Sequence, residues 1–122
     1  MKLHLTTAEN NHLITGYGED FIEINKKRYA QNLIVLADQL ILDWKATNFD
    51  ELTEAHFANI AEIKPEVVLL GTGATHRFLH PKIAQQLTLK NIPVECMSTA
   101  AACRTYNILM SEGRRVAAAL FI

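Results

Sequence analysis

The chain has 122 residues, of which 49% are hydrophobic and 20% charged, and its formal net charge is -1. This length suits one domain spanning residues 1–122, and the hydrophobic content excludes an intrinsically disordered chain. The near-neutral charge and the scattered aromatic residues predict no basic or stacking surface, so no nucleic-acid partner is expected.

The N-terminus and the cysteines indicate a compartment. The first residues, MKLHLTTAENNH, contain no continuous apolar segment of the kind found in secretory signals. No apolar run approaches the roughly 20 residues of a membrane span, so we expect a cytoplasmic protein without one. Cys96 and Cys103 fit neither a zinc spacing nor a disulfide framework, and both are predicted to be free thiols.

The first third of the chain is predicted to be β-structure followed by a helix. Four strand candidates rich in β-branched and aromatic residues span residues 13–17, 21–24, 28–36 and 39–44. The turn between the second and third, NKK, lacks the glycine that favours a tight two-residue hairpin. A helix is predicted over 48–65, with Asn48 or Asp50 as its N-cap and Pro65 as its end.

Three strands are predicted in the second half. Residues 67–70, 92–97 and 116–122 are largely apolar without alternation, which is typical of strands covered on both faces. We therefore expect 67–70 and 94–97 to be adjacent, parallel and buried.

Two helices separate these strands. One is predicted over 81–91 with Pro81 in its first turn, and the other is capped by Ser98 or Thr99 and ends at Gly113. The alternation of strands and helices predicts an α/β fold with a partly parallel sheet, onto which the β-rich first half packs.

The stretch GTG after the first of these strands has two interpretations. A P-loop requires GxxxxGK[ST], and a dinucleotide fingerprint requires a third glycine where His76 stands, so neither motif is present. The simpler interpretation is that Gly71 and Gly73 allow positive φ and close backbone approach where the strand turns. The alternative is a ligand site, because residues 71–75 and 97–99 should meet beyond the carboxyl ends of parallel strands.

The last helix contributes polar residues to the same edge. Counting 3.6 residues per turn gives an apolar face and a polar stripe. The face comprises Ala101, Thr105, Ile108 and Leu109, and the stripe comprises Arg104, Asn107 and Ser111. Free N–H groups at the helix N-terminus, with Arg104, would suit an anion, whereas the alternative is a capped helix with a solvated polar face. The candidate ligand or partner site is Gly71, Thr72, Gly73, Ser98, Thr99, Arg104 and Asn107.

Other chemical groups give weaker signals. His76 and His80 have i,i+4 spacing but lie in a predicted loop without a third ligand, so no metal site is expected. Cys103 lies beside Arg104, which could lower the pKa of its thiol, but a small packed side chain is the simpler interpretation. We predict no catalytic residue and no cofactor.

Several stretches together resemble one family. They are ITGYGEDFIEINKKRYAQNLIVL, VVLLGTG and IPVECMSTAAACRTYNILMSEGRRVAAALF. Over residues 14–121 they resemble the small domain family that includes mitochondrial complex I assembly factor 3 and many bacterial proteins of unknown function. The chain departs from that family in two places. INKK stands where relatives often have a glycine, and Ser98 stands where an aspartate is frequent, which disfavours a role that needs a carboxylate there.

The resemblance implies a three-layer α/β fold with a mixed central sheet and an additional N-terminal β-layer. It implies a non-catalytic binding or assembly module whose protein partners are respiratory complex subunits or assembly factors. The alternative is a small-molecule or anion-binding protein, or an enzyme, that uses residues 71–73 and the N-terminus of the Thr99 helix. The oligomeric state and the presence of complex I in the host stay open.

Overall fold

The computed structural model describes residues 11–122, which form two sheets, three α-helices and one short 3-10 helix. The strands are β1 Ile14–Tyr17, β2 Ile22–Ile24, β3 Lys27–Tyr29, β4 Leu33–Val35, β5 Leu40–Ile41, β6 Val67–Gly71, β7 Val94–Met97 and β8 Val116–Leu120. The helices are α1 Ala55–Ile63, α2 Gln85–Thr88 and α3 Thr99–Ser111, with the 3-10 helix at Phe49–Glu51. No helix in this part of the chain is long and apolar enough to cross a membrane.

The central sheet is mixed, as predicted. Its strand order is β5-β4-β8-β6-β7. β6 runs parallel to both β7 and β8, whereas β4 runs antiparallel to β8 and β5. The expected adjacency of β6 and β7 is therefore confirmed.

Both faces of the central sheet are covered, which explains why its strands show no alternation. One core cluster joins Leu69 of β6 to Tyr106 of α3 and to the N-terminal strands. The other joins the neighbouring Leu70 to Phe57 of α1 and Leu87 of α2. The predicted three-layer α/β architecture with an additional β-layer is confirmed.

The prediction that β7 is buried is wrong. β7 lies at the edge of the sheet, where Val94, Cys96 and Met97 are half-buried and Glu95 is exposed. Apolar content predicts that a strand is covered on its faces, but it does not fix the place of the strand in the sheet order. The edge position leaves one side of the β7 backbone unpaired.

The N-terminal layer is a three-stranded antiparallel sheet, β1-β2-β3. β2 and β3 are joined by a tight two-residue turn without glycine, in which Asn25 and Lys26 both have positive φ, 50° and 73°. Such a turn matches the twist of a hairpin. β1 and the residue before it stabilise this turn from the side, because Asn25 Oδ1 accepts from the Leu13 N–H at 2.9 Å and the Lys26 N–H donates to Thr15 Oγ1 at 3.0 Å.

Replacing Lys26 by glycine should stabilise the protein by about 0.5 to 1 kcal/mol, because glycine adopts positive φ without the steric cost that lysine carries. Thermal or denaturant unfolding measures the change. Lys26→Ala is the matched control and should leave the free energy of unfolding near that of wild type, since alanine keeps the strain. Equal stability of the glycine and alanine variants would contradict the expected strain.

The single strand predicted over 28–36 is wrong, because these residues belong to two sheets. β3 ends the N-terminal sheet and β4 begins the central one. Asn32 holds the crossing between them, with its Nδ2 donating to the carbonyls of Ala46 and Thr47, each at 3.0 Å. The crossing is fixed by these long-range contacts, so no local turn signal marks it.

The two helices predicted over 48–65 and 81–91 are shorter than expected. Asn48 caps the 3-10 helix by accepting from the Glu51 N–H at 3.0 Å, and α1 begins only at Ala55. Before Pro65, Lys64 ends α1 in a left-handed conformation. The region 81–91 contains turns around the single-turn helix α2, in which Leu87 is the buried residue.

The helix α3 begins and ends where the sequence predicts. Ser98 Oγ accepts from the Ala101 N–H at 3.3 Å, and Gly113 follows the helix with φ 83°. Its predicted apolar face is wrong, since Ile108 is 57% exposed. The buried residues are Thr99, Ala102, Cys103, Tyr106 and Met110. The Tyr106 hydroxyl of this buried face donates to the His12 carbonyl at 2.7 Å.

Candidate functional site

A crevice of about 440 Å³ lies where the carboxyl end of β6, the start of α3 and the N-terminal layer meet. Its walls are mostly apolar and come from residues 17–19, 73–74, 98–100 and 121–122. Of the predicted site residues, Gly73, Ser98 and Thr99 line it. The structure thus brings the GTG loop and the start of α3 together.

The two glycines of the loop have different structural roles. A Cβ on Gly71 would lie 2.9 Å from Leu120 Cδ2 and 3.0 Å from Thr99 Cα, so this glycine allows β6 to approach α3 closely. Gly73 has φ 96°, and a Cβ there would meet nothing within 4 Å. Gly71 is therefore required by packing, and Gly73 by its backbone conformation at the open side of the crevice.

Thr99 connects the three segments that meet under the crevice. Its Oγ1 accepts from the Gly73 N–H at 2.8 Å and donates to the Phe121 carbonyl at 2.5 Å. Its own N–H donates to the Gly73 carbonyl at 2.9 Å. With only 8% of Thr99 exposed, its hydroxyl is committed to the fold.

Thr72 shapes the loop that leaves the crevice. Its Oγ1 accepts from the Arg77 N–H at 3.1 Å and lies 2.6 Å from the Thr75 carbonyl, to which it donates. Its N–H donates to the Met97 carbonyl at 2.8 Å and so continues the pairing of β6 with β7. Thr72 is placed below the crevice and not in its lining.

The N-terminus of α3 has little remaining capacity for an anion. Ser98 Oγ accepts a hydrogen bond from the Ala101 N–H, and the Gly73 carbonyl accepts one from the Thr99 N–H. Within residues 11–122, the Ala100 N–H is left without a hydrogen-bond partner, and Ala100 lines the crevice. One free N–H offers an oriented hydrogen bond to a bound group, whereas a phosphate cradle requires several.

Arg104 and Asn107, the predicted polar stripe, have separate environments. Arg104 is exposed, and its Nη1 donates to the hydroxyl of Tyr17, a crevice residue, at 3.0 Å. Asn107 Nδ2 donates to the Ile14 carbonyl at 2.7 Å, and Asn107 Oδ1 accepts from the Ile14 N–H at 3.0 Å. Arg104 thus lies at the crevice rim. The Asn107 amide instead hydrogen-bonds to the backbone at the free edge of β1, in the place where a neighbouring strand would pair.

The sequence did not indicate the far wall of the crevice. Tyr17, Phe121 and Ile122 line it, and Tyr17 is 87 positions from its partner Arg104. Tyr17 stands directly before the turn at Gly18, and no local pattern distinguishes it from a strand residue. Its contribution arises only from docking of the N-terminal layer.

Neither cysteine is prepared for nucleophilic chemistry. Both are free thiols, as predicted. Burial raises the pKa of Cys103 from 9.0 to about 12, although the charge of Arg104 opposes the shift. Burial also raises the pKa of Cys96, which a backbone hydrogen bond from Leu79 partly offsets. The activated Cys103 thiolate considered from the sequence does not fit this environment.

We expect Cys103 to resist a water-soluble disulfide reagent in native protein and to react once the chain unfolds. Absorbance of the released thiolate measures this in a Cys96→Ser variant, where Cys103 is the sole thiol. Because its folded pKa exceeds its unfolded one, Cys103 contributes stability that is complete below pH 9.0 and is lost as the pH rises toward 12. Rapid labelling of the native variant at neutral pH would contradict this environment.

The two histidines of the loop have local protein partners. The His76 ring contacts the Phe78 ring in a tilted arrangement at 4.5 Å between centroids, and His80 Nδ1 accepts from the Lys82 N–H at 3.1 Å. Among the residues that the structure describes, no group of three or more His, Cys, Asp or Glu side chains could hold a metal ion.

The chain is similar in sequence to known proteins. It is 36% identical over 70% of its length to mouse NADH dehydrogenase [ubiquinone] 1 alpha subcomplex assembly factor 3, covering 48% of that protein. It is also 36% identical to an uncharacterised protein of Rhodobacter capsulatus, covering 88% of this chain and 82% of that one. The chain therefore spans about half the length of the mammalian relative.

A solved structure agrees with the fold. The crystal structure of a Bordetella parapertussis protein superposes with a TM-score of 0.85 at 36% identity, over 91% of this chain and 95% of that one. Residues 14–121 match a family of proteins of unknown function (DUF498/DUF598). Since this match covers almost the whole chain, the protein belongs to the DUF498/DUF598 family, which also contains relatives named complex I assembly factor 3.

Proposed function

We propose that the protein is a non-catalytic binding module that assists the assembly of respiratory complex I through protein partners. The relationship to relatives named complex I assembly factor 3 supports this role. The matched region is the domain described above, so we assign the shared function to this domain and not to the additional length of those relatives.

The observation that carries the proposal is that Ser98 and Thr99, two of the predicted ligand residues that line the crevice, are committed to the fold. The hydroxyl of Thr99 and the cap of Ser98 are paired internally, and the walls are mostly apolar. Such a surface offers shape, apolar contact and the N–H of Ala100. These properties suit binding of a partner segment better than proton transfer or nucleophilic attack.

Arg104 places a positive charge at the rim of the crevice, beside Tyr17, where it can contact that partner. Arg104→Ala should change the free energy of unfolding by no more than about 0.5 kcal/mol, because the side chain is exposed. Loss of a charge-assisted contact should weaken partner binding by about 1.5 to 3 kcal/mol, or about 10- to 150-fold. Thermal melting and quantitative pull-down of the same variant measure the two effects.

Affinity purification from a native host that contains complex I tests the proposal. Complex I subunits or assembly factors should be retained by wild type and reduced with Arg104→Ala. Arg114→Ala is the matched control, since Arg114 also makes an exposed side-chain contact, to Glu66 at 3.3 Å, away from the crevice. If wild type, Arg104→Ala and Arg114→Ala retained these complex I components equally, Arg104 would not be part of the interface. Absence of complex I components from every preparation would contradict the assembly role.

The second candidate function is binding of a small molecule in the crevice. Its volume of about 440 Å³ lies in the range of small-molecule sites, roughly 300 to 1,000 Å³. Of the loop and helix residues that the sequence suggests, Gly73 and the start of α3 would contact the ligand. Native mass spectrometry would favour this function if purified protein retained a metabolite of constant mass and no protein partner.

A further inference from the structure

The unpaired side of β7 presents a regular set of backbone hydrogen-bonding groups. On the paired side, the Val68 N–H donates to the Pro93 carbonyl at 2.9 Å, and the Thr72 N–H donates to the Met97 carbonyl at 2.8 Å. In a parallel ladder with this register, Glu95 and Met97 direct their backbone groups toward β6. The N–H and C=O groups of Val94 and Cys96 therefore point away from the sheet.

These outward groups are available for pairing. Within residues 11–122, the backbone groups of Val94 and Cys96 have no hydrogen-bond partner, and both residues are half-exposed. Edge strands with unpaired donors and acceptors are templates for an added strand. β7 contributes none of the residues that line the crevice, so the inference stands independently of the proposed function.

The side chains on the two faces of β7 differ in chemical character. Glu95 pairs with Leu69 in the ladder, so it lies on the α3 side of the sheet, where it is exposed. Val94 and Cys96 lie on the opposite side, packed against the α1 and α2 cluster. A strand added here would meet a carboxylate on one face and apolar groups on the other.

A second copy of the chain is a poor occupant. A two-fold antiparallel pairing that uses the outward groups of Val94 and Cys96 would place Glu95 directly opposite Glu95 of the other copy. Like charges in directly opposed positions destabilise a strand pair. Glu95 thus acts against self-pairing and favours a strand that carries a positive charge.

We propose that β7 accepts an extended segment of a partner protein as an antiparallel edge strand, with a lysine or arginine opposite Glu95. The partner residues on either side of that basic residue face the side of Val94 and Cys96 and should be apolar.

The test uses two synthetic peptides, Thr-Val-Lys-Val-Thr and Thr-Val-Glu-Val-Thr, with blocked ends. Amide chemical shifts of the isotopically labelled protein report where and how tightly each binds. The lysine peptide should shift the Val94 and Cys96 amides of wild type and bind about five- to tenfold more tightly than the glutamate peptide. In Glu95→Lys the preference should reverse, because the variant changes an exposed side chain and keeps the backbone edge.

Val94→Pro gives a second, independent readout. The proline removes an outward N–H that the ladder with β6 does not use, so the fold should persist while binding of both peptides is lost. Equal binding of both peptides to wild type and Glu95→Lys, or shifts confined to other parts of the protein, would overturn the proposal. A wild-type dimer whose Val94 and Cys96 amides are protected at its interface would also overturn it.

Discussion

Replacing Gly71 by valine should lower the free energy of unfolding by about 3 kcal/mol, at the upper end of the cost of overpacking a core. Even the first added carbon would lie 2.9 Å from Leu120 Cδ2 and 3.0 Å from Thr99 Cα. The Leu120 side chain can rotate, but Thr99 Cα is backbone at the start of α3. Accommodation would therefore require the helix to move away from the sheet. Denaturant unfolding measures the loss.

Gly73→Ala is the matched control for this prediction. Its Cβ would project into open space, so only the unfavourable φ of 96° opposes it, at about 1 to 2 kcal/mol. The two glycines are two positions apart in the same motif, but the two substitutions should lower the free energy of unfolding by different amounts. If Gly71→Val were as stable as Gly73→Ala, the close approach of β6 and α3 would not be a structural constraint.

Thr99→Val should lower the free energy of unfolding by about 1 to 3 kcal/mol, although valine has nearly the shape of threonine. The substitution would leave the Gly73 N–H and the Phe121 carbonyl without the hydroxyl that now pairs with both, at 2.8 and 2.5 Å. Buried groups that lose their partner carry the full cost of desolvation. Thermal melting beside wild type measures the change.

Thr99→Ser separates the hydroxyl from the methyl group. The serine variant keeps both hydrogen bonds and lacks one carbon, so its free energy of unfolding should fall by about 1 kcal/mol or less. A serine variant as unstable as the valine variant would show that packing, and not the hydroxyl, holds the loop. A valine variant as stable as wild type would return Thr99 to the set of ligand-binding candidates.

The sequence predicted several elements of this fold because their signals are local, whereas the three-layer arrangement was implied by the family resemblance. The unalternating apolar run of β6 indicated cover on both faces, and the Ser98 cap and Gly113 marked the ends of α3. The edge position of β7 could not be predicted, since it depends on which strand pairs beyond β6. The division of residues 28–36 between two sheets likewise depends on distant contacts.

The candidate site was predictable in part for the same reason. Parallel strands end at one edge, so the sequence could bring Gly73 and Thr99 together. The roles of their polar groups could not be predicted, because the Thr99 hydroxyl is satisfied by Phe121, 22 positions away. The Asn107 amide is satisfied by Ile14, 93 positions away. Because these side chains pair with distant backbone groups, Thr99 and Asn107, which were ligand candidates, have structural roles.

The level of assembled complex I in a host strain that lacks this protein tests the central claim most directly. In a host that has complex I, native gels of membranes should show less of the complete complex and more partly assembled material in the deletion strain. Wild-type protein should restore the complete complex, and Arg104→Ala should restore it less well at equal protein level. An unchanged amount of complete, active complex I in the deletion strain would contradict the assembly role.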